Sequence, residues 1–447
     1  MTESVPAAGS DLGALAVEAF FYGFPLVFDL NEVGRFAREG IGAVPATPYN
    51  EFGHAHQLAG PETRFVSVNN DTVYSIANVD VSGGPVRLEV PDTRGRYYVL
   101  QFVDAWTNNF AYVGHRATGT EAGSFLLVGR AWEGEVPSGV RVIRFPTSIA
   151  TIVGRWAVDG ESDIPSVVEL QASLRLTPTA PGNGVPDGDP SVPEELRFFE
   201  QLRVWMAAFP PSDRDQAYQQ RFEPLGLLAA PSPYTDSGSE LSAGLRQALE
   251  SAKQKMEEAL KGDTSPIQNG WSLTYHVFDY NLDFFEVGAL DDDAWKLDDG
   301  PMRYSQRALA ARGGLWGNHG YEAAYAMVYL DDDGNALDGA NRYELRFDRE
   351  PPVGAFWSVT MYDDRDFFLV ANPIDRYSIG DRTSGLQRDA DGVLTIVMQR
   401  DEPAEPDRRA NWLPTPARGF RPILRMYEPD AAVFDGRYEL PPIRRVS

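Results

Sequence analysis

From residue 64 to about residue 151 the chain alternates apolar and polar residues in short runs fenced by Gly, Pro or Asp. "PVRLEVPD", "RYYVLQFVDAW", "NFAYVGHRA", "GSFLLVGR" and "VRVIRFPT" follow one another in this way. A period of two puts successive side chains on opposite faces of a strand, and turns this closely spaced leave no room for crossover helices. The pattern predicts antiparallel sheets stacked as a sandwich, not a βαβ fold.

A second strand-rich stretch runs from "AAYAMVYLDDDGNALDGANRYELRFD" to the end, with "DDDG" and "DADG" as Asp-Gly hairpin turns. Helical spacing dominates between the two, in "PEELRFFEQLRVWMAAF" and "SELSAGLRQALESAKQKMEEALKG". Residues 161 to 177 read as a further helix, and "TAPGNGVPDGDPSVP" as an exposed loop. At the start, Ser10 and Asp11 are cap-type residues. Leu12, Leu15, Ala16, Ala19 and Phe20 then follow at helical spacing, and Pro25 predicts a kink or restart. The fold class is α+β multidomain. A helical segment (1–63) precedes a first antiparallel β-sandwich-like domain (64–178), a helical middle region (179–300) and a second β-sandwich-like domain (301–447).

Composition removes whole classes of function. A net charge of −25 opposes a nucleic-acid partner or adsorption to an anionic membrane, since both require a basic face. The absence of cysteine removes disulfides, thiolate catalysis and Cys-ligated metal centres. No basic segment precedes the first apolar stretch, which Glu18 interrupts, so the expected location is the cytoplasm. No nucleotide-binding glycine loop, GxSxG, SxxK or HExxH occurs, and no cofactor is assigned.

Three clusters carry chemistry. "VNNDTVY" sets Asn69, Asn70 and Asp71 before Tyr74, a turn of backbone-bonding side chains feeding a strand. "DAWTNN" ends a strand with Asp104, Trp106, Asn108 and Asn109; a buried Asp104 there would act as a general acid, or it caps the turn. "NPIDRYSIGDR" offers Arg376 and Tyr377 beside Asn372 as a carboxylate or phosphate clamp, the plain alternative being an ion pair with Asp363, Asp366 or Asp375. His54 and His56, two apart, could face one metal ion, but no third ligand follows from spacing and no metal is assigned. His115 and His276 sit in apolar strings and read as core or edge histidines. "DDDGNALDG" lacks the twelfth-position Glu of an EF-hand loop and reads as a hairpin.

The segment from "VNNDTVYSIANV" to "GSFLLVG" resembles the module known as domain of unknown function 1254. The segment from "WGNHGYEAAYAMVYL" to "RMYEPD" is similar to its usual partner, domain of unknown function 1214. The resemblance implies two β-sandwich-like domains with a largely helical part between them. It places the family's polar signatures on Asn69, Asp71, Thr72 and Tyr74, and on Asp104, Thr107 and Asn108. In the second half they fall on Phe356, Trp357, Ser358, Thr360, Tyr362 and Asp363, on Asn372, Pro373, Arg376 and Tyr377, and on Asn411 to Pro414.

The functional expectation is a cofactor-independent enzyme of lyase, isomerase, cyclase or hydrolase type, acting on a small metabolite in an aromatic-lined cleft. Asp71, Tyr74 and Asp104 are its catalytic candidates; Asn70, Trp106, Asn108, Arg376 and Tyr377 are its substrate-binding candidates. The alternative is a non-catalytic carbohydrate or small-ligand binder using Trp106, Trp132, Trp357 and Trp412. The expected partner is a small molecule, with homo-oligomerisation left open.

Overall fold

A computed structural model describes residues 8–63, 66–262 and 265–446. Two sandwiches, each built from two open sheets, meet along a seam, and a helical layer packs against the first. In the first, β1 (Gly53–His54), β2 (Thr72–Asp80), β4 (Tyr98–Asp104), β5 (Asn109–Gly114) and β8 (Ile149–Ala157) form an antiparallel sheet in the order β1-β2-β8-β4-β5. It packs on a smaller sheet of β3 (Val86–Val90), β6 (Gly123–Gly129), β7 (Arg141–Phe145) and β9 (Arg175–Pro178), in which only β6 and β7 run parallel. Val73, Leu100, Phe102 and Trp156 meet Leu88, Leu127, Ile143 and Phe145 in the core between them.

The second sandwich repeats the plan. Its larger sheet, in the order β10-β11-β12-β18-β14-β15, contains β10 (Ile267–Gln268), β11 (Trp271–Leu273), β12 (Ala323–Val328), β14 (Val353–Asp363), β15 (Ser378–Gly380) and β18 (Phe420–Pro429). The smaller one contains β13 (Arg342–Phe347), β16 (Leu394–Gln399), β17 (Trp412–Pro414) and β19 (Ile443–Val446). Thus β10 and β11 come from the stretch expected to be helical, whereas Pro301–Gly314, expected within the strand-rich part, is a helix. The "DDDG" hairpin is present: Asp331 accepts from the Asn335 amide at 2.8 Å, and Leu330 bridges Ala336.

The helix Ala8–Glu39 runs unbroken through Pro25, and the side chains of Ser10 and Asp11 lie outside the described residues. Its Phe20, Leu26, Leu30 and Val33 join Leu202, Leu249, Met256 and Ala308 in the core of the helical layer. Gly23 allows the close approach, since a Cβ there would lie 2.4 Å from the Leu202 methyls. Residues Leu12–Glu39 are long and apolar enough to cross a membrane by length and composition, and in this structure half of that apolar window is buried.

Every residue of β4, β5, β8 and β18 is buried. Each large sheet is covered on both faces, by its own small sheet on one side and by helices or the opposing unit on the other. Tyr97, Val99 and Tyr112 of the first unit meet Ala323, Phe356 and Tyr427 of the second across this seam. Burying a large apolar side chain contributes about 2–3 kcal/mol, so a seam of this kind holds the two units together.

Candidate functional site

The "NNDTVY" corner lies in the seam. Residues 66–71 lie against the second unit's large sheet, whose buried side chains bind them. Arg425 donates to the Ser67 carbonyl at 2.7 Å, Tyr362 to the Val68 carbonyl at 2.6 Å, and Arg421 to the Ser67 hydroxyl. Asp71 is 7% exposed. Its Oδ1 accepts from Tyr427 at 3.1 Å and its Oδ2 from Ser358, while Arg382 donates to its carbonyl at 3.0 Å. Asn69 donates to Tyr427, and Asn70 accepts from Ser378 at 3.2 Å. Burial, reinforced by Asp71, pushes the Tyr427 hydroxyl far above its ordinary value. Burial works to lower Arg425, but Tyr362, Tyr427 and Asp71 outweigh it and hold the guanidinium above its usual range. Tyr74 is half-buried, with the Arg155 guanidinium 5.5 Å from its ring centre.

The same seam holds a second acidic group. Tyr97 donates to Glu322 at 2.7 Å, and His115 Nδ1 lies 2.6 Å from Glu428. Burial, with Glu428 adding to it, raises the Glu322 carboxyl to about 7.

Asp104, Trp106 and Asn108 lie elsewhere, where the first sheet meets the helical layer. Asp104 Oδ1 accepts from the amides of Trp106 at 2.9 Å and Asn108 at 2.8 Å, and Oδ2 accepts from the Asn108 side chain at 2.9 Å. This is a turn cap, with Thr107 in the left-handed region at φ 66°. Burial lifts Asp104 to about 6. Asn108 accepts from Arg307 at 3.0 Å, and the Trp106 indole donates to the Phe209 carbonyl at 2.8 Å.

Arg376 Nη1 donates to the carbonyls of Ala410 (3.0 Å) and Trp412 (2.9 Å), and Tyr377 donates to Asp375 at 2.9 Å. The eight candidates therefore fall in three places: Asn70, Asp71 and Tyr74 in the seam, the 104–108 turn, and the 376–377 loop, which reaches the seam through Ser378. Of the four tryptophans, Trp106, Trp357 and Trp412 are buried and Trp132 is half-buried. His54 Nδ1 is bonded to the Ser75 hydroxyl at 2.8 Å, and burial lowers this imidazole to about 4. No group of three His, Asp or Glu side chains poised for a metal occurs among the described residues.

Sequence reasoning missed a fourth cluster. Asp279, 1% exposed, stands between two histidines. His276 Nδ1 lies 2.5 Å from Oδ2, and His319 Nε2 lies 3.0 Å from Oδ1, without the alignment of a full hydrogen bond. His319 Nδ1 accepts from the Tyr321 amide at 3.1 Å, so its proton sits on Nε2, toward Asp279. Burial lowers the His319 imidazole, outweighing the pull of Asp279. His276 is 48% exposed and packs against Trp295 and Phe434. On the other side of the carboxylate, His319 joins Tyr112, Phe285 and Tyr321 in lining a small cleft that opens to solvent. The signal available in the sequence was His276 and Asp279 three residues apart. Nothing local tied them to His319.

The model of the protein family of unknown function DUF1254 matches residues 49–178, and that of DUF1214, also of unknown function, matches residues 322–431. The chain carries both domains. Asp71 and Asp104 lie in the DUF1254 domain and Arg376 in the DUF1214 domain, whereas the whole histidine cluster lies between the two matched segments. The crystal structure of the VPA0106 protein from Vibrio parahaemolyticus is similar at 25% identity and a TM-score of 0.73, covering 98% of this chain and 100% of that one. An uncharacterized protein from Burkholderia cenocepacia aligns over 98% of this chain and 94% of its own at 12% identity, with a TM-score of 0.46. No curated protein matches the chain significantly.

Proposed function

We propose that this protein is a cofactor-independent acid–base enzyme of lyase, isomerase, cyclase or hydrolase type, acting on a small metabolite, with His276 as its general base. The observation that carries the reading is the buried Asp279 carboxylate held between a half-exposed and a cleft-lining imidazole. A carboxylate at 2.5 Å fixes the His276 proton on Nδ1 and leaves the Nε2 lone pair outward. When Nε2 takes a proton from substrate or water, Asp279 stabilises the imidazolium and holds its ring in place. The same nitrogen then returns the proton to product. Trp295 and Phe434 supply an aromatic wall at this position, and His319 Nε2 lies 3.0 Å behind the carboxylate. The net charge of −25 favours a small ligand over nucleic acid or an anionic membrane.

In this reading Asp71 and Asp104 are structural, since their oxygens are occupied by hydroxyl, amide and side-chain donors. The test compares wild type with His276→Gln on mixed metabolites followed by proton NMR. The expected result is consumption of a component by the wild type and a loss of about 100-fold or more in the variant, whose melting temperature falls by no more than a few degrees. An equal rate in both proteins would reject the reading.

A further inference from the structure

We infer that the contact between the two units is a pH-operated latch, closed while Glu322 and His115 carry their protons and released once both have lost them. Two side chains of the first unit each hold one carboxyl group of the second. Tyr97 donates to Glu322 at 2.7 Å, and His115 Nδ1 lies 2.6 Å from Glu428. The two carboxyl-bearing residues are neighbours: β12 and β18 pair Ala323 with Tyr427, and the Glu428 amide donates to the Glu322 carbonyl at 2.9 Å.

The main chain is shaped to place Glu428 there. It stands in the left-handed region at φ 53°, which residues with side chains seldom adopt. Opposite it, the pairing of β14 with β18 slips between Val353 and Phe356. An irregularity of this kind re-aims a side chain, here toward His115.

The groups around the pair set the sign of the pH effect. From the second unit, the His319 carbonyl accepts from the Glu322 amide at 2.8 Å while its imidazole turns to Asp279, and the Tyr427 ring packs on Tyr97. From the first come Tyr97, Tyr112, Arg116 and Arg155. Both arginines are spent elsewhere: Arg116 on the carbonyls of Tyr321 and Pro429, and Arg155 on Gln101, Asn318 and the Trp316 carbonyl. Among the described residues His115 is therefore the one cation in contact with either carboxyl group. With both protons in place, the imidazolium balances the Glu428 carboxylate and Glu322 is a neutral acid. With both gone, two buried carboxylates stand side by side without a counter-ion in contact, a conflict that parting of the seam relieves. Burial, with Glu428 adding to it, lifts Glu322 to about 7. A carboxyl raised in the folded state contributes fully at low pH, and its contribution is lost as pH rises, here toward about 7. Parting exposes the rings of Tyr97, Phe356 and Tyr427, while each sandwich keeps a core of its own.

The chain has no cysteine, so a single introduced thiol reports on the seam. Val99→Cys, in the seam, is labelled with a pyridyl disulfide in the presence and absence of Glu322→Gln, each pair compared at one pH so that thiol reactivity cancels. Ala77→Cys, inside the first sandwich, is the control. At about pH 8 the Val99→Cys thiol should react about tenfold faster with Glu322 than with Glu322→Gln, and at about pH 6 equally fast. His115→Gln should speed labelling at about pH 6 and leave it unchanged at about pH 8. Ala157→Cys replaces Val99→Cys if the latter does not fold. Equal seam labelling at about pH 8, no effect of His115→Gln, or a control that accelerates as much as the seam would each overturn the latch. No turnover is read, so the acid–base reading can fail without touching this result.

Discussion

Asp71 and Asp279 are both buried carboxylates, at 7% and 1% exposure, yet their surroundings give them opposite uses. Asp71 is held by the hydroxyls of Ser358 and Tyr427, which keep their protons at any pH the fold survives. Asp279 is held by two imidazoles, one half-exposed and one buried, a side-chain type that can take up and return a proton. Hydroxyl partners make a carboxylate a fastener; in the proposed reading, imidazole partners make it the fixed end of a proton relay. Proximity to a signature motif did not distinguish them. The chemical type of the partner did.

The comparison breaks most readily at Asp71. Asp71→Ala leaves the Ser358 and Tyr427 hydroxyls without their acceptor and the Arg425 guanidinium without a nearby negative charge, and should cost about 4 kcal/mol in urea unfolding. Turnover per folded molecule should be unchanged. A fully folded, inactive Asp71 variant would move the chemistry from the histidines to the seam.

The seam's own titrating member gives the next largest effect. Glu322 is raised from 4.5 to about 7, so the folded state holds its proton more tightly than the unfolded chain. Stability contributed by Glu322 is complete below pH 4.5 and is lost as pH rises toward 7, by about 3 kcal/mol. Asp104, raised to about 6, acts in the same sense at lower pH, while His54, lowered to about 4, acts in the opposite sense up to its ordinary value. The difference in stability between wild type and Glu322→Gln should therefore fall by this amount between pH 4.5 and 7. A flat difference would mean the seam admits water at Glu322.

At the other pole, His276→Gln should cost about 100-fold in rate, some 3 kcal/mol of barrier, and under 1 kcal/mol of stability because the ring is half-exposed. Asp279→Asn should lose rate too, with its pH profile displaced. The smallest effect expected is that of Ser358→Ala, about 1–2 kcal/mol of stability with no change in rate. A rate change there would show that the seam and the relay are coupled.

Much of the fold was legible because it is local. The five quoted runs of the first strand-rich stretch became β3 to β7, and the two central helices fell where apolar residues recur at helical spacing. The helix Pro301–Gly314 was missed because its buried residues are mostly Arg and Ala, including Arg303 and Arg307, which carry no apolar stripe. Pro25 misled because a single proline inside a helix packed along its length does not end it. For the candidate site, Asp104 was seen both as an acid and as a cap, and its bonds to Trp106 and Asn108 are those of a cap. The expected ion pair at Arg376 is not formed, because the nearby carboxylates turn inward to their own loops.

What the sequence determined by itself was the alternation of strand and helix and the polar corner at residues 69–74, which depend on neighbours a few residues apart, and the exclusion of thiol chemistry, which follows from the absence of cysteine. Only the tertiary structure decided that Asp71 faces Ser358 and Tyr427, and that His276 and Asp279 share a carboxylate contact with His319. Those partners come from other elements, and their identity fixes whether a buried carboxylate fastens or relays. Spacing within one strand or loop carries no record of what packs against it.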